Sequence, residues 1–393
     1  MQIDVLPFDD ESGLDAAIDG LAARPRPPAF VMLHYDARID VGARKARLAE
    51  FTLAMGGTSC RGVMCAPGLA AGGTAGGMLF AIDDPEGSYG AAIAPHDDDA
   101  QAAAAQATRA AMAQAGRPGE MPALIWVYGT PGEEERTIAG IESVAGQGVP
   151  IIGGSAADND VAGGWRVFAG ETRADRAIAV GALYPSGEVS LAYQNGYAPT
   201  GESGVVTAVD GRRVLEIDGR PAAAVYGEWT GGAVTTAPMA DGSPRGILSE
   251  SAFWPLGREM HEVAGVPFYL LAHPAAADAA GHLHLFADIA PGERLTQMRG
   301  TVAGLTSRAG RVADLARRAG EIPPAEVAGA LMVYCGGCRM SVEDHLSDVV
   351  SGMAEALPGA PFAGVFTFGE QGPILSSGNR HGNLMVSCVV FSR

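Results

Sequence analysis

Two stretches of the sequence share one pattern of strand, helix and strand, and this pattern sets the strongest limit on the fold. Residues 123–160 read as a strand, a helix that follows a proline and carries three glutamates in its first turn, a second strand and a polar loop. Residues 330–373 have the same order. Both first strands begin with Ala-Leu and reach a tyrosine, Tyr128 and Tyr334. The repeat predicts two related halves, although strand–helix–strand units are common enough to resemble one another by chance.

The remaining periodicity predicts an α+β fold of antiparallel sheets that pack together and are covered by helices. Short apolar runs separated by glycine or aspartate are typical of neighbouring antiparallel strands. At 393 residues the chain exceeds the usual size of a single core. A hairpin signature, "AVDGRRVLEIDG", precedes a predicted helix that begins near Pro221. We therefore predict an N-terminal lead over 1–28, one domain over 29–220 and a second over 221–393.

Charge and composition exclude several classes of function. The net charge of −18 argues against nucleic acid or an anionic membrane as a partner, because either would need a positive face. A P-loop and a pyridoxal Schiff base each need a lysine, and Lys45, the only lysine, lies in a predicted exposed helix. The acidic N-terminus does not resemble a signal peptide, and no apolar run approaches the roughly 18 residues of a membrane helix. We expect a cytoplasmic protein with reduced cysteines.

Five segments, taken in order, resemble the FIST proteins. They are "VPIIGGSAADN", "NGYAPTG…VVTAVDGRRVLEIDGRPAAAVY", "YLLAHP", "LHLFADIAPGERLTQMRG" and "PFAGVFTFGEQGP…NRHGNLMVSCVVF". The first two resemble the FIST N-terminal domain and the others the FIST C-terminal domain, in a standalone bacterial arrangement. The resemblance implies a sensory, signal-transducing module for a small ligand, with amino acids or related molecules proposed as ligands. Some members are haem-containing nitric oxide sensors. Because no output segment is recognised, a separate signalling protein is the implied partner.

The motif "YCGGCR" carries a CxxC pair, Cys335 and Cys338. Such a pair can be structural or ligand-lining, redox-active, or half of a metal site. Zinc needs four ligands, so a cage would require Cys60 and Cys65 from the other half. We favour thiols without a metal: Cys335 is predicted to line the pocket, and Cys338 is predicted to be an accessory thiol with no permanent disulfide.

Polar residues follow a predicted strand in each half. In "IIGGSAADND", Gly154 allows close backbone approach, and Ser155 and Asp158 offer hydrogen bonds. A turn that ends a strand has the same composition, so a purely structural role also explains them. The equivalent loop of the second half carries further candidate residues.

The segments "FTFGEQGP" and "NRHGNL" supply the second set of candidate ligand residues. Glu370 follows an apolar run, and a carboxylate at that place suits a cationic ligand group. His381 and Asn383 follow shortly after it. A solvated turn is the alternative for these residues.

The favoured function is a sensory module that binds a small polar, amino-acid-like metabolite between the halves. The second hypothesis is an enzyme in the same cleft, with Cys335 as nucleophile or redox thiol, His381 as base and Glu370 as orienting group. A bound cofactor, either a metal or haem, or a haem-based gas sensor, is also left open, since one histidine or cysteine suffices as an axial ligand. No cofactor is predicted, and binding is favoured over catalysis.

Overall fold

The computed structural model describes residues 1–263, 265–374 and 377–393. Its first unit begins with an edge strand and a covering helix, continues through two parallel strands joined by a helix, and ends with a short hairpin and a return strand. These elements are β1 (Gln2–Phe8), α1 (Glu11–Ala22), β2 (Phe30–Asp36), α2 (Gly42–Ala49), β3 (Leu53–Ser59), β4 (Val63–Cys65), β5 (Thr74–Ala75) and β6 (Gly77–Asp83). Every residue of β2 is buried, because both of its edges are paired and both faces of its sheet are covered.

A second unit repeats this order. It consists of β7 (Ser88–Pro95), α3 (Ala100–Gln114), β8 (Leu124–Gly129), α4 (Glu134–Ala145), β9 (Ile151–Ser155), β10 (Val167–Ala169), β11 (Thr172–Ala174) and β12 (Ala177–Tyr184). Strands β8 and β9 are parallel, as β2 and β3 are. Helix α3 begins at the Asp99 cap, whose carboxylate accepts a hydrogen bond from the Ala102 amide.

The third unit begins with β13 (Val189–Gln194), which is followed by a long insertion. The insertion forms a nine-stranded antiparallel sheet with its own core. Its elements are β14 (Ala198–Asp210), β15 (Arg213–Ile217), β16 (Arg220–Pro221), α5 (Ala222–Trp229), β17 (Arg245–Gly246), α6 (Leu248–Ser251), β18 (Leu256–Val263), β19 (Val266–Ala272), β20 (Pro274–Ala277), β21 (Leu283–Leu285) and β22 (Arg294–Arg299). The predicted hairpin is present, since Asp210 of β14 pairs with Arg213 of β15.

The third unit resumes after the insertion. It continues through α7 (Val302–Ala319), β23 (Val327–Cys335), α8 (Gly336–Ser341), α9 (Leu346–Ala356), β24 (Phe362–Thr367), β25 (Glu370–Ile374), β26 (Gly378–Gly382) and β27 (Val386–Ser392). Strands β23 and β24 are parallel. Helix α9 packs against α7 through its buried residues Leu346, Val349, Val350 and Met353.

Each unit completes its sheet with a hairpin from another unit. The orders are β1-β6-β2-β3-β10-β11, β7-β12-β8-β9-β25-β26 and β13-β27-β23-β24-β4-β5. Unit 2 thus supplies a hairpin to unit 1, unit 3 to unit 2 and unit 1 to unit 3. The inner faces of the sheets meet in one core, which includes Phe80, Trp126 and Phe391.

The α+β prediction with related halves is confirmed, and the two stretches paired in the sequence are equivalent parts of units 2 and 3. The relation goes further than predicted, because unit 1 has the same order. Strand β1 and helix α1 lie within the predicted lead, and β1 pairs with β6. Among the described residues, no helix is both long and apolar enough to cross a bilayer.

Gly153 of β9 is a test of how tightly the parallel strands of unit 2 are packed. Its φ is +152°, and a Cβ there would lie 1.8 Å from the Val127 carbonyl oxygen. We expect Gly153→Ala to lower the free energy of unfolding by at least about 3 kcal/mol, measured by urea denaturation, because backbone must move to admit the methyl group. Gly148→Ala is the control, since nothing lies within 4 Å of its added Cβ. Equal stability of both variants would contradict this packing.

Candidate functional site

A cavity of about 180 Å³ lies where unit 2, unit 3 and the inserted sheet meet. We call it the interdomain cavity. Aromatic and aliphatic side chains form most of its wall, and polar groups enter at a few points. Its lining residues are Pro131, Gly132, Glu134, Val161 and Trp165 from unit 2, Arg212, Leu248, His273 and Phe286 from the inserted sheet, and Cys335, Gly337, Met340, Phe368 and Asn383 from unit 3.

Arg212 connects the inserted sheet to the first turn of α4. Its Nη2 donates to Glu134 at 2.8 Å and to Glu135 at 2.6 Å, and its Nε donates to Asp288 at 2.8 Å. Burial works against the charge of Arg212, but the neighbouring carboxylates outweigh burial and raise its pKa. The guanidinium Nη1 has no hydrogen-bond partner among the described residues, so it can donate to a bound ligand.

Glu134 is a buried carboxylate at the cavity wall. One oxygen accepts hydrogen bonds from the Ser155 hydroxyl at 2.7 Å and from the Gly132 amide at 3.0 Å, and the other accepts from Arg212. Burial alone would raise the pKa of Glu134, but the charges of His381 and Arg212 and these hydrogen bonds outweigh it and bring the pKa to about 2. Glu134 is therefore ionised at neutral pH.

His273 and Asn383 form a neutral polar edge of the cavity. The Nε2 of His273 lies 3.1 Å from the Leu248 carbonyl oxygen, which can only accept, so Nε2 carries the proton and Nδ1 is an acceptor. Burial lowers the pKa of His273 to about 4, so the ring is uncharged near pH 7. The Asn383 side-chain oxygen accepts a hydrogen bond from the His273 amide at 3.1 Å. This bond ties β26's outgoing loop to the inserted sheet.

The CxxC pair has one sulfur at the cavity and one behind it. Cys335, at the end of β23, lines the cavity, whereas Cys338 in α8 is fully buried. Burial raises the pKa of the Cys335 thiol well above its usual value, so this thiol is protonated. Burial opposes the charge of Cys338 too, but a hydrogen bond from Cys335, the charge of Arg308 and a contact with Tyr197 lower the pKa of Cys338 to about 6.

Four of the sequence-predicted site residues gather at this cavity. Cys335 and Asn383 line it. Ser155 lies one contact behind the wall, because its hydroxyl donates to Glu134. His381 also lies behind the wall, with Nε2 at 3.1 Å from the carbonyl oxygen of Phe286. Contact between these residues and a ligand stays a prediction.

Asp158, predicted as a ligand contact, does not line the cavity. Its carboxylate accepts hydrogen bonds from the amides of Val161 at 2.6 Å, Ala162 at 2.9 Å and Gly164 at 2.7 Å. These bonds fold the loop after β9 and so position Trp165, which does line the cavity. Asp158 thus acts on the cavity wall through the loop.

Glu370 and Gly154 lie next to one another, away from the cavity. Glu370 is fully buried and accepts hydrogen bonds from the Thr367 hydroxyl at 2.8 Å and the Met385 amide at 3.0 Å. Burial raises its pKa well above the usual range and so favours the neutral acid. Gly154 pairs with Glu370 in the sheet, and a Cβ there would lie 2.4 Å from Thr367. Both residues hold the sheet junction together.

Several cavity residues were not predicted from the sequence: Glu134, Trp165, Arg212, His273, Phe286 and Phe368. The glutamates of the first turn of α4 carried a usable signal, because a buried carboxylate at a strand-to-helix junction is unusual. Arg212 lies in a hairpin turn, and His273 follows β19. Their shared position depends on how the inserted sheet packs, which no local pattern encodes.

The four cysteines weighed as an alternative metal cage do not lie in one cluster. Cys65 lies in the core between the sheets, whereas Cys60, Cys335 and Cys338 belong to the core around α7 and α9. In residues 1–263, 265–374 and 377–393, the side chains close enough to share a metal ion are those of Glu134, Glu135 and His381. Both carboxylates already accept hydrogen bonds from Arg212.

The residues around the cavity do not fit a haem group. At about 180 Å³ the cavity is smaller than the roughly 300–1,000 Å³ of ordinary ligand pockets, so a porphyrin disc does not fit in it. His273, the imidazole at its wall, directs Nε2 at the Leu248 carbonyl oxygen.

Comparisons with known proteins identify two matching domains. The FIST N domain matches residues 30–220, and the FIST C domain matches residues 222–373. No curated protein matches the sequence. Among solved structures, the chain is similar to the crystal structure of a cyanuric acid hydrolase from A. caulinodans, at 11% identity and a TM-score of 0.35, over 100% of this chain and 99% of that one. A similarity at this level carries no argument about function.

The charge of Glu134 predicts a pH-dependent contribution to stability. Because the folded pKa, about 2, lies below the ordinary glutamate value of 4.5, the stabilisation is fully present above pH 4.5 and is lost as the pH falls toward 2. We expect Glu134→Gln to lower the free energy of unfolding by about 3 kcal/mol at pH 7 and by progressively less below pH 4.5. Urea denaturation at several pH values measures this difference.

Glu120→Gln is the control for that experiment. Glu120 pairs with Arg117 on the surface, where an ion pair contributes little. A stability loss in Glu134→Gln that does not change between pH 7 and pH 3 would mean that the charge of Glu134 is not what stabilises the fold.

Proposed function

We propose that this chain, which belongs to the FIST family, is a sensory module that binds a small carboxylate ligand in the interdomain cavity. Domains of this family are sensory signal-transduction domains for small ligands. The observation that carries the proposal is the cavity itself, because residues of both matched domains line it and Arg212 is among them. Clefts between domains are a favoured place for small ligands.

The size and the walls of the cavity favour a ligand no larger than a small amino acid or a similar metabolite. Trp165 and Phe368 lie edge to face with ring centroids 6.3 Å apart, and Phe286 adds a third aromatic side chain to the wall. These surfaces suit an apolar side group. The polar groups then decide which end of the ligand lies where.

The polar groups of the wall divide into a donor side and an acceptor side. Arg212 can donate from Nη1 to a ligand carboxylate without releasing its protein carboxylates. Neutral His273 offers Nδ1 as an acceptor, which suits an amine or hydroxyl of the ligand. A ligand with a carboxylate, a donor group and a small apolar side group therefore satisfies the wall, and amino acids have all three.

Ligand binding would alter the contact between the inserted sheet and units 2 and 3. Arg212, His273 and Phe286 belong to the inserted sheet, whereas Glu134 and Cys335 belong to units 2 and 3. A ligand that touches both sides favours whichever arrangement brings them to the best distance. A separate signalling protein that reads this arrangement is the proposed partner.

A thermal-shift screen of amino acids and their 2-keto and 2-hydroxy analogues tests the proposal. A ligand at a hundredfold excess over its Kd stabilises the folded state by about 2.7 kcal/mol, which such a screen detects. We expect at least one carboxylate compound to stabilise the protein and its amide counterpart to fail. If no carboxylate compound in the screen raises the melting temperature, the proposal is wrong.

Two adjacent arginines provide a matched pair of variants for the compound found. Arg212→Gln should weaken binding by about tenfold to a hundredfold in calorimetry, because a charge-assisted hydrogen bond to the carboxylate is lost. Arg213→Gln should leave the Kd unchanged, since Arg213 lies next in the chain and pairs with Asp210 at the surface. Equal Kd values for the two variants would show that Arg212 does not contact the ligand.

A further inference from the structure

Arg308 of α7 is a buried guanidinium with no carboxylate partner among the described residues. Its Nη1 donates to the Leu384 carbonyl oxygen at 2.7 Å, while Nε and Nη2 have no hydrogen-bond partner. The guanidinium lies over the ring of Tyr334, 4.7 Å from its centroid, and 5.8 Å from that of Tyr197. A buried positive charge is unfavourable unless an anion compensates it.

Cys338 is the group that can supply this negative charge. Its sulfur is fully buried, lies 3.3 Å from the Tyr197 hydroxyl and interacts with Arg308. The titratable and charged groups around the Cys338 sulfur are Tyr197, Arg308, Tyr334, Cys335 and Glu370. Burial raises the pKa of the two tyrosines, of Cys335 and of Glu370, and so favours their neutral forms. Arg308 carries a positive charge.

Cys335 connects this buried ion pair to the cavity. Cys335 is the N-cap of α8 and Cys338 lies in the first turn of that helix, so the two thiols share one turn, where their interaction raises the pKa of Cys335 and lowers that of Cys338. Cys335 also lines the interdomain cavity beside Gly337, where an added Cβ would lie 3.6 Å from the Cys335 sulfur. A solute in the cavity therefore meets Cys335, with the Cys338 thiolate directly behind it.

We propose that Cys335 and Cys338 form a reversible dithiol–disulfide site, which a small hydroperoxide oxidises from the cavity and in which Arg308 holds Cys338 as the thiolate. The site lies beside the proposed ligand pocket, but it does not depend on the identity of that ligand. It gives the CxxC motif a chemical role that differs from an accessory thiol.

The oxidation occurs in two steps. The Cys335 sulfur attacks the terminal oxygen of the hydroperoxide, its proton passes to the Cys338 sulfur, and the O–O bond breaks to release an alkoxide, or hydroxide from hydrogen peroxide. That anion takes the proton from Cys338, so an alcohol or water leaves and the thiolate is restored. The Cys338 thiolate then attacks the Cys335 sulfenic acid, the S–O bond breaks, and the released hydroxide takes a solvent proton to become water.

The disulfide removes the anion that compensates Arg308. The guanidinium is then buried without an anion beside it. It still donates to the carbonyl oxygen of Leu384, a residue with a φ of +56°. Leu384 lies between Asn383, which lines the cavity, and Met385, whose amide donates to Glu370. Oxidation therefore disturbs the segment that forms one wall of the cavity.

Hydrogen peroxide and mass spectrometry of the whole purified chain test the proposal. We expect a disulfide between Cys335 and Cys338 after treatment, its disappearance with dithiothreitol, and no change at Cys388, which is buried without a charged neighbour. The ultraviolet absorbance of thiolate should show one cysteine ionising below pH 7, and Cys338→Ser should remove that transition.

Variants of two arginines on α7 test the role of Arg308. Without its charge, the Cys338 pKa returns toward 9, so Arg308→Gln should slow disulfide formation at pH 7 by about a hundredfold. Arg308→Lys keeps the charge and should retain most of the rate. It provides the test if the glutamine variant folds poorly. Arg311→Gln is the control, because Arg311 is exposed on the same helix.

Three results would overturn the proposal: no thiolate below pH 7 in the wild type, oxidation of Cys335 to the sulfinic acid without a disulfide, or equal rates in Arg308→Gln and Arg311→Gln. None of these readouts requires a carboxylate ligand. A failure of the ligand screen and a failure of the redox site can therefore be told apart.

Discussion

The hydrogen bonds that join each hairpin to another unit's sheet are the constraint on which the rest of the structure depends. At the junction of units 2 and 3, the Ser155 amide donates to the Gly369 carbonyl at 2.9 Å and the Phe368 amide donates to the Ser155 carbonyl at 3.0 Å. These bonds bring the loops after β9 and β24 together although more than two hundred residues separate them in the chain. Trp165 and Phe368 meet at the cavity because those loops meet.

The buried carboxyl of Glu370 stabilises this junction through its hydrogen bonds. It lies where β25 pairs with β9, and its oxygens accept hydrogen bonds from Thr367 and Met385. Full burial raises its pKa, although the charge of Arg308 acts in the opposite direction. The sequence prediction treated Glu370 as a ligand carboxylate because it follows a strand and precedes a polar loop. The same pattern equally fits a carboxyl that closes a sheet, and only tertiary contacts separate the two.

Much of the fold could be predicted from the sequence because its units are local. The strand–helix–strand pattern of 123–160 and 330–373 depends on periodicity within about forty residues. The sequence does not relate unit 1 to these two stretches, since its strand "FVMLHYD" lacks their Ala-Leu start. The exchange of hairpins was beyond prediction, because β4 and β10 have three residues each and no signal for their distant partners.

The candidate site divides in the same way. Cys335 and Asn383 follow strands of unit 3, and a residue at a strand's end lies at the sheet's edge whatever the rest of the fold is. Arg212 and His273 enter from the inserted sheet, so their place at the cavity depends on packing between bodies of the fold. The charge of Arg212 did not indicate its place at the cavity, because an arginine in a turn is ordinarily exposed.

The two buried arginines near the cavity are compensated in chemically different ways, and this difference separates their roles. Arg212 pairs with three carboxylates, Glu134, Glu135 and Asp288, which are not oxidised under conditions that oxidise thiols. It is therefore a constant link between the inserted sheet and unit 2. Arg308 faces the proposed Cys338 thiolate, whose charge a two-electron oxidation would remove. Because both arginines act on the walls of one cavity, the link through Arg212 can hold the pocket's position while the state of the sulfur pair alters its opposite wall.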